Sequence, residues 1–346
     1  MAEESTTDGF APLRIKRVVR ETADAVSLVL DVPEHCSHRF RYEAGQFLTV
    51  RVTVDGRDLR RCYSMSSAPL EDELQITVKR DPPGGVVSNW INDTVVAGTE
   101  LHAAPPPDGR FVLREVDSDS ADLVAFAGGS GITPIMSLVR TALADSSRRI
   151  KLFYANRARD SVIFSDRLAR LAEANGDRLV VEYHYDEDGG VVTPAAVDSF
   201  TAGVGDAEYY ICGPAPFMAT VENALQAAGV PRARLHLERF TVAEVVPDLT
   251  ADDAQVTEEV VIELDRRVTT AAYRKGDTLL QTARMSGLRA PSSCETGSCG
   301  TCMARVVDGT ARMLNNDALD DDEVEEGWVL TCQTLPTSRS VRVVYE

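Results

Sequence analysis

The sequence predicts a multidomain protein in which an antiparallel β-barrel precedes an α/β domain with a parallel sheet and a small α+β domain. Three observations predict it. Short alternating runs fill the first third of the chain, strand and helix patterns then take turns, and a cysteine-rich segment follows an acidic stretch. With 346 residues, of which 44% are hydrophobic, the chain is long enough for two or three cored domains.

The first domain is predicted to span residues 1–116. Apolar and polar residues alternate in short runs that Gly, Pro and Asp interrupt, a pattern typical of a small antiparallel barrel. The clearest predicted strands are residues 14–20, 26–31, 46–54, 74–80 and 110–114. A proline-rich run at 105–109 marks the end of this region.

The second domain is predicted to span residues 117–240. Strand patterns alternate with helix patterns, which implies a parallel sheet covered by helices. We expect strands at 123–126, 150–154, 179–185 and 208–211, with helices ending near 143 and spanning 165–175 and 216–228. Residues 241–257 contain four acids and no base, which indicates a linker. The third domain, 258–346, is expected to be an α+β unit that begins with a strand at 259–264 and has one helix around 278–285.

Charge and hydropathy exclude several classes of partner. The chain has 36 basic and 54 acidic residues, a formal charge of −18, so it repels nucleic acids and anionic membranes. No run of 18 apolar residues suggests a membrane span, and the acidic N-terminus does not resemble a signal peptide. We therefore expect a cytoplasmic protein, in which structural disulfides are disfavoured.

Four cysteines near the C-terminus have the spacing of a metal centre. Cys294, Cys299 and Cys302 are followed, after 29 intervening residues, by Cys332, which is the plant-type [2Fe–2S] pattern. Zinc is the alternative, but zinc ligands usually come as two Cys-x2-Cys pairs and only one is present here. We predict that these four thiolates hold a [2Fe–2S] cluster.

Two short motifs in the predicted barrel indicate a diphosphate site. The first supplies a guanidinium, an aromatic ring and a hydroxyl from Arg61, Tyr63 and Ser64. The second is a glycine turn that opens a helix and comprises Gly85, Val86, Val87 and Ser88. Helix N-termini and arginine together bind diphosphates, and each motif alone is weak evidence.

A glycine turn after the first strand of the α/β domain indicates a dinucleotide site. Gly128, Gly129 and Gly131 lead into Thr133 and a helix, and glycines permit close approach of the backbone to a pyrophosphate. The fourth strand ends in Cys212, Gly213 and Pro214, at the sheet edge where such domains bind ligands. Cys212 is therefore a candidate contact of a nicotinamide ring, although a buried core cysteine is the alternative.

Taken together, these motifs resemble the ferredoxin–NADP⁺ reductase superfamily fused to a C-terminal plant-type ferredoxin. Three features resemble oxygenase reductases in particular. They are the order of the domains, the run 154–157 that contains Asn156 and Arg157, and the run 325–333. Within that group the likeness is greatest to reductases that serve 3-ketosteroid 9α-hydroxylases, with those of phenylacetyl-CoA epoxidases as the alternative.

The resemblance implies FAD, a nicotinamide dinucleotide and the [2Fe–2S] cluster as cofactors. Arg61 and residues 85–88 would bind the FAD diphosphate, while Tyr63 and Ser64 would contact the flavin ring, with Ser64 near its N5 atom. Phe240 would cover the flavin face, and Glu238 would lie near the hydride path together with Cys212. The remaining implied nucleotide contacts are Gly128, Gly129, Gly131, Thr133, Asn156, Arg157, Gly213 and Pro214.

The implied function is electron transfer from NAD(P)H to a separate Rieske-type oxygenase with non-haem iron, by a monomeric reductase. A self-contained oxidoreductase is the other alternative, which the extra cluster disfavours. Arg157 and Arg159 favour NADPH chemically, whereas the resemblance favours NADH, towards which we lean. Six acids between residues 320 and 326 either dock the oxygenase or form a solvated helix start.

Overall fold

A computed structural model describes residues 10–81, 85–106, 111–114, 121–240, 257–292, 295, 297, 299–316 and 318–345. The chain divides into two units, Met1–Arg239 and Phe240–Glu346, and each is described by itself. The predicted 116/117 boundary and nearly all of the predicted linker lie outside the described residues.

Six antiparallel strands form the barrel that opens the first unit. The strands are β1 (Ala11–Thr22), β2 (Ala25–Asp31), β3 (Phe47–Val54), β4 (Arg57–Ser64), β5 (Leu74–Lys79) and β6 (Glu100–Ala104), in the order β4-β3-β6-β1-β2-β5. A single bridge between Met65 and Ile76 joins the two ends of this order. Leu13 and Ile15 of β1 are almost completely buried and alternate with exposed residues, as a half-buried strand predicts, whereas β2 is buried along nearly its whole length. Helix α1 (Val86–Thr94) packs against β5.

A five-stranded parallel sheet completes the first unit. Its strands are β7 (Asp122–Gly128), β8 (Ile150–Asn156), β9 (Leu179–Tyr185), β10 (Ala207–Cys212) and β11 (Leu235–Glu238), in the order β11-β10-β7-β8-β9. The helices are α2 (Ile132–Asp145), α3 (Ser165–Ala174), α4 (Asp186–Gly189), α5 (Pro194–Thr201) and α6 (Ala215–Ala227). The parallel registers bring the carboxyl ends of all five strands to one edge of the sheet.

The second unit contains a mixed five-stranded sheet and a two-stranded one. Its elements are β12 (Glu259–Leu264), β13 (Arg267–Ala272), α7 (Leu279–Met285), β14 (Met303–Asp308), β15 (Ala311–Met313), α8 (Asp321–Glu325), β16 (Trp328–Leu330), β17 (Thr334–Pro336) and β18 (Ser340–Val344). The large sheet has the order β13-β12-β18-β14-β16, with β12 parallel to β18, and β15 pairs with β17. Helix α7 begins at a capping box of Thr278 and Gln281 and buries Leu279 and Leu280 in the core.

One predicted strand is wrong. Residues 111–114 are irregular, and Arg110 lies outside the described residues. The backbone N–H of Leu113 donates to the carbonyl of Ala44, 3.2 Å away, and that of Arg114 donates to the Tyr210 hydroxyl, 2.9 Å away. These bonds to the barrel and to the parallel sheet replace a strand ladder, so the segment connects the two sheets.

None of the helices in the described parts of the chain combines the length and apolar character needed to cross a lipid bilayer.

Candidate functional sites for two nucleotides and a cluster

The Arg61–Ser64 motif lies at the end of β4, where it pairs with β3. Ser64 stands opposite Phe47 and is 3% exposed, yet its hydroxyl has no hydrogen-bond partner among the described residues. Tyr63 is half-buried, and burial raises the pKa of its phenol although the charge of Arg61 opposes the rise. Because buried hydroxyls are almost always paired, the Ser64 hydroxyl fits a site that a ligand atom completes.

The second motif forms the beginning of α1. Gly85 precedes the helix, and the Ser88 hydroxyl donates to the Gly85 carbonyl, 3.1 Å away. A Cβ atom at Gly85 would lie 2.3 Å from the Ser88 hydroxyl and 2.8 Å from the carbonyl of Asp81, so only glycine fits without a shift. The first N–H groups of the helix, at Val86 and Val87, lack intrahelical acceptors and suit an anion. Gly84, the other glycine of this turn, lies outside the described residues.

The dinucleotide turn lies where β7 meets α2. Gly128 ends β7, residues Gly129–Gly131 form a short 3-10 helix, and α2 follows. A Cβ atom at Gly131 would lie 2.0 Å from the carbonyl oxygen of Cys212, which shows how closely this turn approaches the end of β10. The Thr133 hydroxyl donates to the Ser130 carbonyl, 3.0 Å away, and fixes the first turn of α2.

A cavity of about 380 Å³ opens beside this turn. It is lined by the predicted contacts Gly128, Gly129, Asn156, Arg157 and Pro214, together with Lys79, Ser130, Ala155, Asp186, Val191, Val192, Pro216, Phe217 and Thr220. Asn156 is 4% exposed, and neither its amide oxygen nor its amide nitrogen has a partner among the described residues. A buried, unpaired amide at the edge of a cavity fits a polar ligand such as a dinucleotide.

Charged side chains of both signs lie around the cavity. Lys79, from the barrel strand β5, has its Nζ atom 3.8 Å from Oδ2 of Asp24, and burial lowers the pKa of its ammonium. Arg157 is exposed, and its Nη2 atom lies 3.6 Å from the same oxygen. Asp186 begins α4 and contributes a carboxylate to the lining. Two cations and one carboxylate therefore line the cavity, and the Asp24 carboxylate lies next to both cations.

Arg159, the other arginine after β8, is already occupied. It lies 3.0 Å from a Glu187 oxygen and 2.7 Å from an Asp188 oxygen, and its guanidinium covers the ring of Tyr185 at 4.4 Å. Both carboxylates raise the pKa of Arg159 above its usual value. The arginine is therefore held by two acids and is not among the residues that line the cavity.

Cys212 and Glu238 lie side by side at the carboxyl ends of β10 and β11. Cys212 is completely buried, and burial, with a smaller contribution from the Glu238 charge, raises the pKa of its thiol well above the usual value. It is therefore a neutral thiol at physiological pH. Gly213 is half-buried behind it, and Phe240, two residues beyond β11, is 45% exposed.

Helix α2 also contacts the barrel close to the Arg61–Ser64 motif. The buried Ser137 hydroxyl donates to the Ser67 carbonyl, 2.6 Å away. One turn further, Arg140 donates to the Ser66 carbonyl at 3.2 Å and forms an ion pair with Glu71. The same helix thus begins at the dinucleotide turn and binds the loop that follows Ser64.

Three of the four predicted cluster ligands are described, and Cys294 lies outside the described residues. Cys299, Cys302 and Cys332 are all buried, and the Cys302 carbonyl accepts from both the N–H and the hydroxyl of Thr331, the neighbour of Cys332. The N–H of Thr301 points to the Cys299 sulfur at 3.4 Å. Thiols and backbone N–H groups in a loop of this kind fit an iron–sulfur cluster.

The rest of the cluster loop is held by two neighbouring side chains. Arg284 of α7 bonds the Ser292 hydroxyl at 2.7 Å and the Glu295 carboxylate at 2.6 Å. The Gln333 amide donates to the Glu295 carbonyl, 2.7 Å away. Glu295 has a φ of +57°, a conformation that costs energy for a non-glycine residue, and the two bonds that Glu295 accepts from Arg284 and Gln333 oppose that cost.

Sequence reasoning missed Lys79 and Asp186. Lys79 belongs to the other sheet, and no local pattern connects it with a dinucleotide turn far along the chain. Asp186 does have a sequence signal, because it is an acid that directly follows a parallel strand, but that strand is the third of the sheet and the dinucleotide rule concerns the second.

Three family models match the chain in succession. They are an oxidoreductase FAD-binding domain at residues 12–112, an oxidoreductase NAD-binding domain at 126–223 and a 2Fe-2S iron-sulfur cluster binding domain at 262–337. The cofactors of this protein are therefore FAD, a nicotinamide dinucleotide and a [2Fe–2S] cluster.

Several relatives match this chain over nearly its whole length. The ferredoxin reductase component of 3-ketosteroid-9-alpha-monooxygenase from Mycolicibacterium smegmatis is 39% identical over 100% of both chains. A component of the 1,2-phenylacetyl-CoA epoxidase from Escherichia coli is 30% identical over 97% of this chain and 98% of its own. The solved phthalate dioxygenase reductase is 26% identical, covers 98% of both chains and superposes with a TM-score of 0.66. The chain therefore belongs to the reductase components of multicomponent oxygenases, NAD(P)H-dependent flavin iron–sulfur oxidoreductases of the ferredoxin–NADP⁺ reductase superfamily.

Proposed function

We propose that the protein passes electrons from NADH, through FAD and the [2Fe–2S] cluster, to a Rieske-type 3-ketosteroid 9α-hydroxylase. The observation that carries the nucleotide half of this proposal is the buried, unpaired amide of Asn156 in the cavity beside the glycine turn. When bound, FAD supplies the conversion of a hydride into single electrons, which a one-electron cluster requires. The residues of the chain bind and orient the cofactors.

The flavin contacts follow from the ends of β4 and α1. Arg61 and the N–H groups of Val86 and Val87 neutralise the diphosphate, with Ser88 bracing the turn through Gly85. The Ser64 hydroxyl would donate to the flavin ring near N5, which would pair the otherwise unpaired group. Tyr63 would contribute an aromatic face, and Phe240 would cover the flavin face.

The nicotinamide dinucleotide occupies the cavity along the glycine turn. Lys79 and the N–H groups between Gly129 and Gly131 face its diphosphate, while Asn156 hydrogen-bonds a polar group of the ligand. Thr133 fixes the turn, and Gly213 and Pro214 border the nicotinamide end. Cys212 and Glu238 flank the ring, where the neutral thiol provides polarisable contact without adding charge.

The arrangement of charges favours NADH over NADPH. A carboxylate next to the adenosine ribose accepts hydrogen bonds from its hydroxyls and repels a 2′-phosphate. Asp186 supplies such a group in the cavity, whereas Arg159, which could have bound a 2′-phosphate, is held by Glu187 and Asp188. Arg157 remains beside the cavity as the single arginine of the lining residues.

The test is anaerobic stopped-flow reduction of the purified protein by NADH and, separately, by NADPH. We expect rapid loss of flavin absorbance followed by loss of the cluster bands, faster with NADH. An Asp186→Asn variant removes repulsion of the 2′-phosphate worth on the order of 1–2 kcal/mol, so the ratio of the rates with NADH and NADPH should fall about tenfold. Asp198→Asn removes the same charge from an exposed position of α5, away from the cavity lining, and should leave the preference unchanged.

Two results would contradict this proposal. A faster reaction of the unmodified protein with NADPH would reject the role of Asp186. Flavin reduction without subsequent cluster reduction would reject the electron path and favour a self-contained oxidoreductase.

The steroid hydroxylase partner is supported by the ranking of the relatives. Identity is 39% with the steroid monooxygenase reductase and 30% with the epoxidase component, each over nearly the whole chain. The reduced protein should therefore reduce the oxygenase component of a 3-ketosteroid 9α-hydroxylase faster than that of a phenylacetyl-CoA epoxidase. The reverse order of rates would assign the protein to the second system.

A further inference from the structure

Three charged side chains meet beside the nucleotide cavity in an arrangement that the proposed roles do not explain. Oδ2 of Asp24 lies 3.8 Å from Nζ of Lys79 and 3.6 Å from Nη2 of Arg157. Lys79 and Arg157 line the cavity, whereas Asp24 is not one of its lining residues. One carboxylate oxygen is therefore shared by two cations that face the place of the nucleotide.

The position of the Asp24 carboxylate is fixed by the fold. Asp24 occupies the turn between β1 and β2, and its Oδ1 atom accepts a hydrogen bond from the Thr22 hydroxyl, 2.7 Å away. Its carbonyl accepts from the N–H of Arg80 at 2.7 Å, which ties the turn to the end of β5 next to Lys79. These two bonds hold the Asp24 carboxylate beside the two cations.

The two cations are less constrained than the acid. Both distances to Asp24 exceed the 2.7–2.9 Å of a tight charge-assisted hydrogen bond, taken as a rough guide. The Arg157 side chain is 74% exposed, and Lys79 is repelled by Arg157 as well as attracted by Asp24. Long, flexible side chains held in this loose way can turn towards a stronger anion.

We propose that Asp24 competes with the diphosphate of the dinucleotide for Lys79 and Arg157, and that this competition weakens nucleotide binding. The inference rests on the proposed dinucleotide site and adds a residue of the barrel that tunes it. Without Asp24, two positive charges would face the diphosphate, and with Asp24 one of them is cancelled. Because the diphosphate is common to both dinucleotides, Asp24 acts equally on NAD⁺ and NADP⁺.

The experiment measures binding by calorimetry on the oxidised protein loaded with FAD and cluster. NAD⁺ and ADP-ribose serve as probes, because ADP-ribose keeps the diphosphate and lacks the nicotinamide. Asp24→Asn, which retains an acceptor for the Thr22 hydroxyl, should lower both dissociation constants about fivefold, as loss of a charge several ångströms from the ligand predicts. This increase in affinity should become smaller as the salt concentration is raised, because salt screens exposed charges.

The controls separate this inference from the nucleotide site itself. Asp31→Asn removes the same charge at the opposite end of β2 and should leave both constants unchanged. Lys79→Met should bind both probes more weakly. A second neutral variant, Asp24→Ser, should bind both more tightly, as Asp24→Asn does. Unchanged or weaker binding in both Asp24 variants, with weaker binding in Lys79→Met, would overturn the inference and leave the dinucleotide site standing. Unchanged binding in Lys79→Met as well would reject both.

Discussion

Single residues show the difference between a motif and a site. Ser64 and Asn156 are buried polar groups without partners among the described residues, in a fold whose other buried hydroxyls, such as that of Ser66, are paired. The sequence named both residues from motifs, but it could not show that they lack partners. Only packing decides whether a hydroxyl is satisfied, and Ser64 and Ser66, two residues apart in one segment, have opposite outcomes.

This difference predicts opposite effects of two serine-to-alanine changes. Ser64→Ala removes a hydroxyl that makes no hydrogen bond to the described residues. The free energy of unfolding of the cofactor-free protein should therefore be unchanged or slightly higher. Flavin reduction by NADH, followed by stopped flow, should slow about a hundredfold if the hydroxyl orients the flavin.

Ser66→Ala is the matched control. It removes a hydroxyl that contacts Thr77 at 2.8 Å and Gln75 at 2.9 Å, and should cost roughly 1–3 kcal/mol of unfolding free energy in a denaturant titration. A large stability loss in Ser64→Ala, with normal flavin reduction, would show that Ser64 is structural.

Strands with a clear alternating pattern lie where they were predicted, whereas a segment held by distant contacts does not form its predicted strand. The strands predicted at 179–185 and 259–264 agree residue for residue with β9 and β12. By contrast, residues 111–114 alternate like a strand but bond to Ala44 and Tyr210 instead. Alternation reports which side chains can be buried, and it does not report which backbone groups are near enough to pair.

The contact between the start of α2 and the end of β10 leads to a prediction for Gly131. In Gly131→Ala the new methyl group would lie 2.0 Å from the Cys212 carbonyl oxygen, so α2 or β10 must shift. We expect dinucleotide affinity, measured by calorimetry, to fall at least about tenfold, and thermal stability to fall by several degrees.

Gly205→Ala serves as the comparison, because its φ is ordinary and no atom lies within 4 Å of the added carbon. It should bind nucleotide and melt like the unmodified protein. Normal nucleotide affinity in Gly131→Ala would mean that the turn tolerates movement.

At the scale of the whole molecule, the strand and helix patterns predicted the order of the domains but did not show which domains pack together. The barrel and the parallel sheet form one unit, joined by contacts such as Ser137 with Ser67 and Arg140 with Glu71. These pairs are about 70 residues apart in the chain, and no sequence window reports them. The second unit is separate and carries the cluster cysteines and the acidic run 320–326.

The acidic run predicts how the protein meets its oxygenase. Asp320 caps α8 by accepting from the N–H of Glu323, and Glu325 and Glu326 are exposed. Reversing these two charges with Glu325→Lys and Glu326→Lys should slow reduction of the oxygenase about tenfold at low salt, with reduction of a small dye unchanged.

A variant with Glu259→Lys and Asp308→Lys changes the net charge equally, at two other exposed positions of the same unit. Equal oxygenase rates in the two double variants would show that the run is only a solvated helix start. Slower dye reduction in the first variant would point to damage within the cluster unit.

Helix α2 begins at the glycine turn that follows β7 and also bonds the barrel at Ser67, so its residue count sets the distance between these two places. Ser137, which bonds the Ser67 carbonyl, follows Thr133 by four positions, a little more than one helical turn and about 6 Å of rise. One inserted residue would rotate one attachment against the other by about 100°. An insertion in the first turn of α2 would therefore misalign the glycine turn and the contact with Ser67, whereas an insertion in a surface loop would leave both in place.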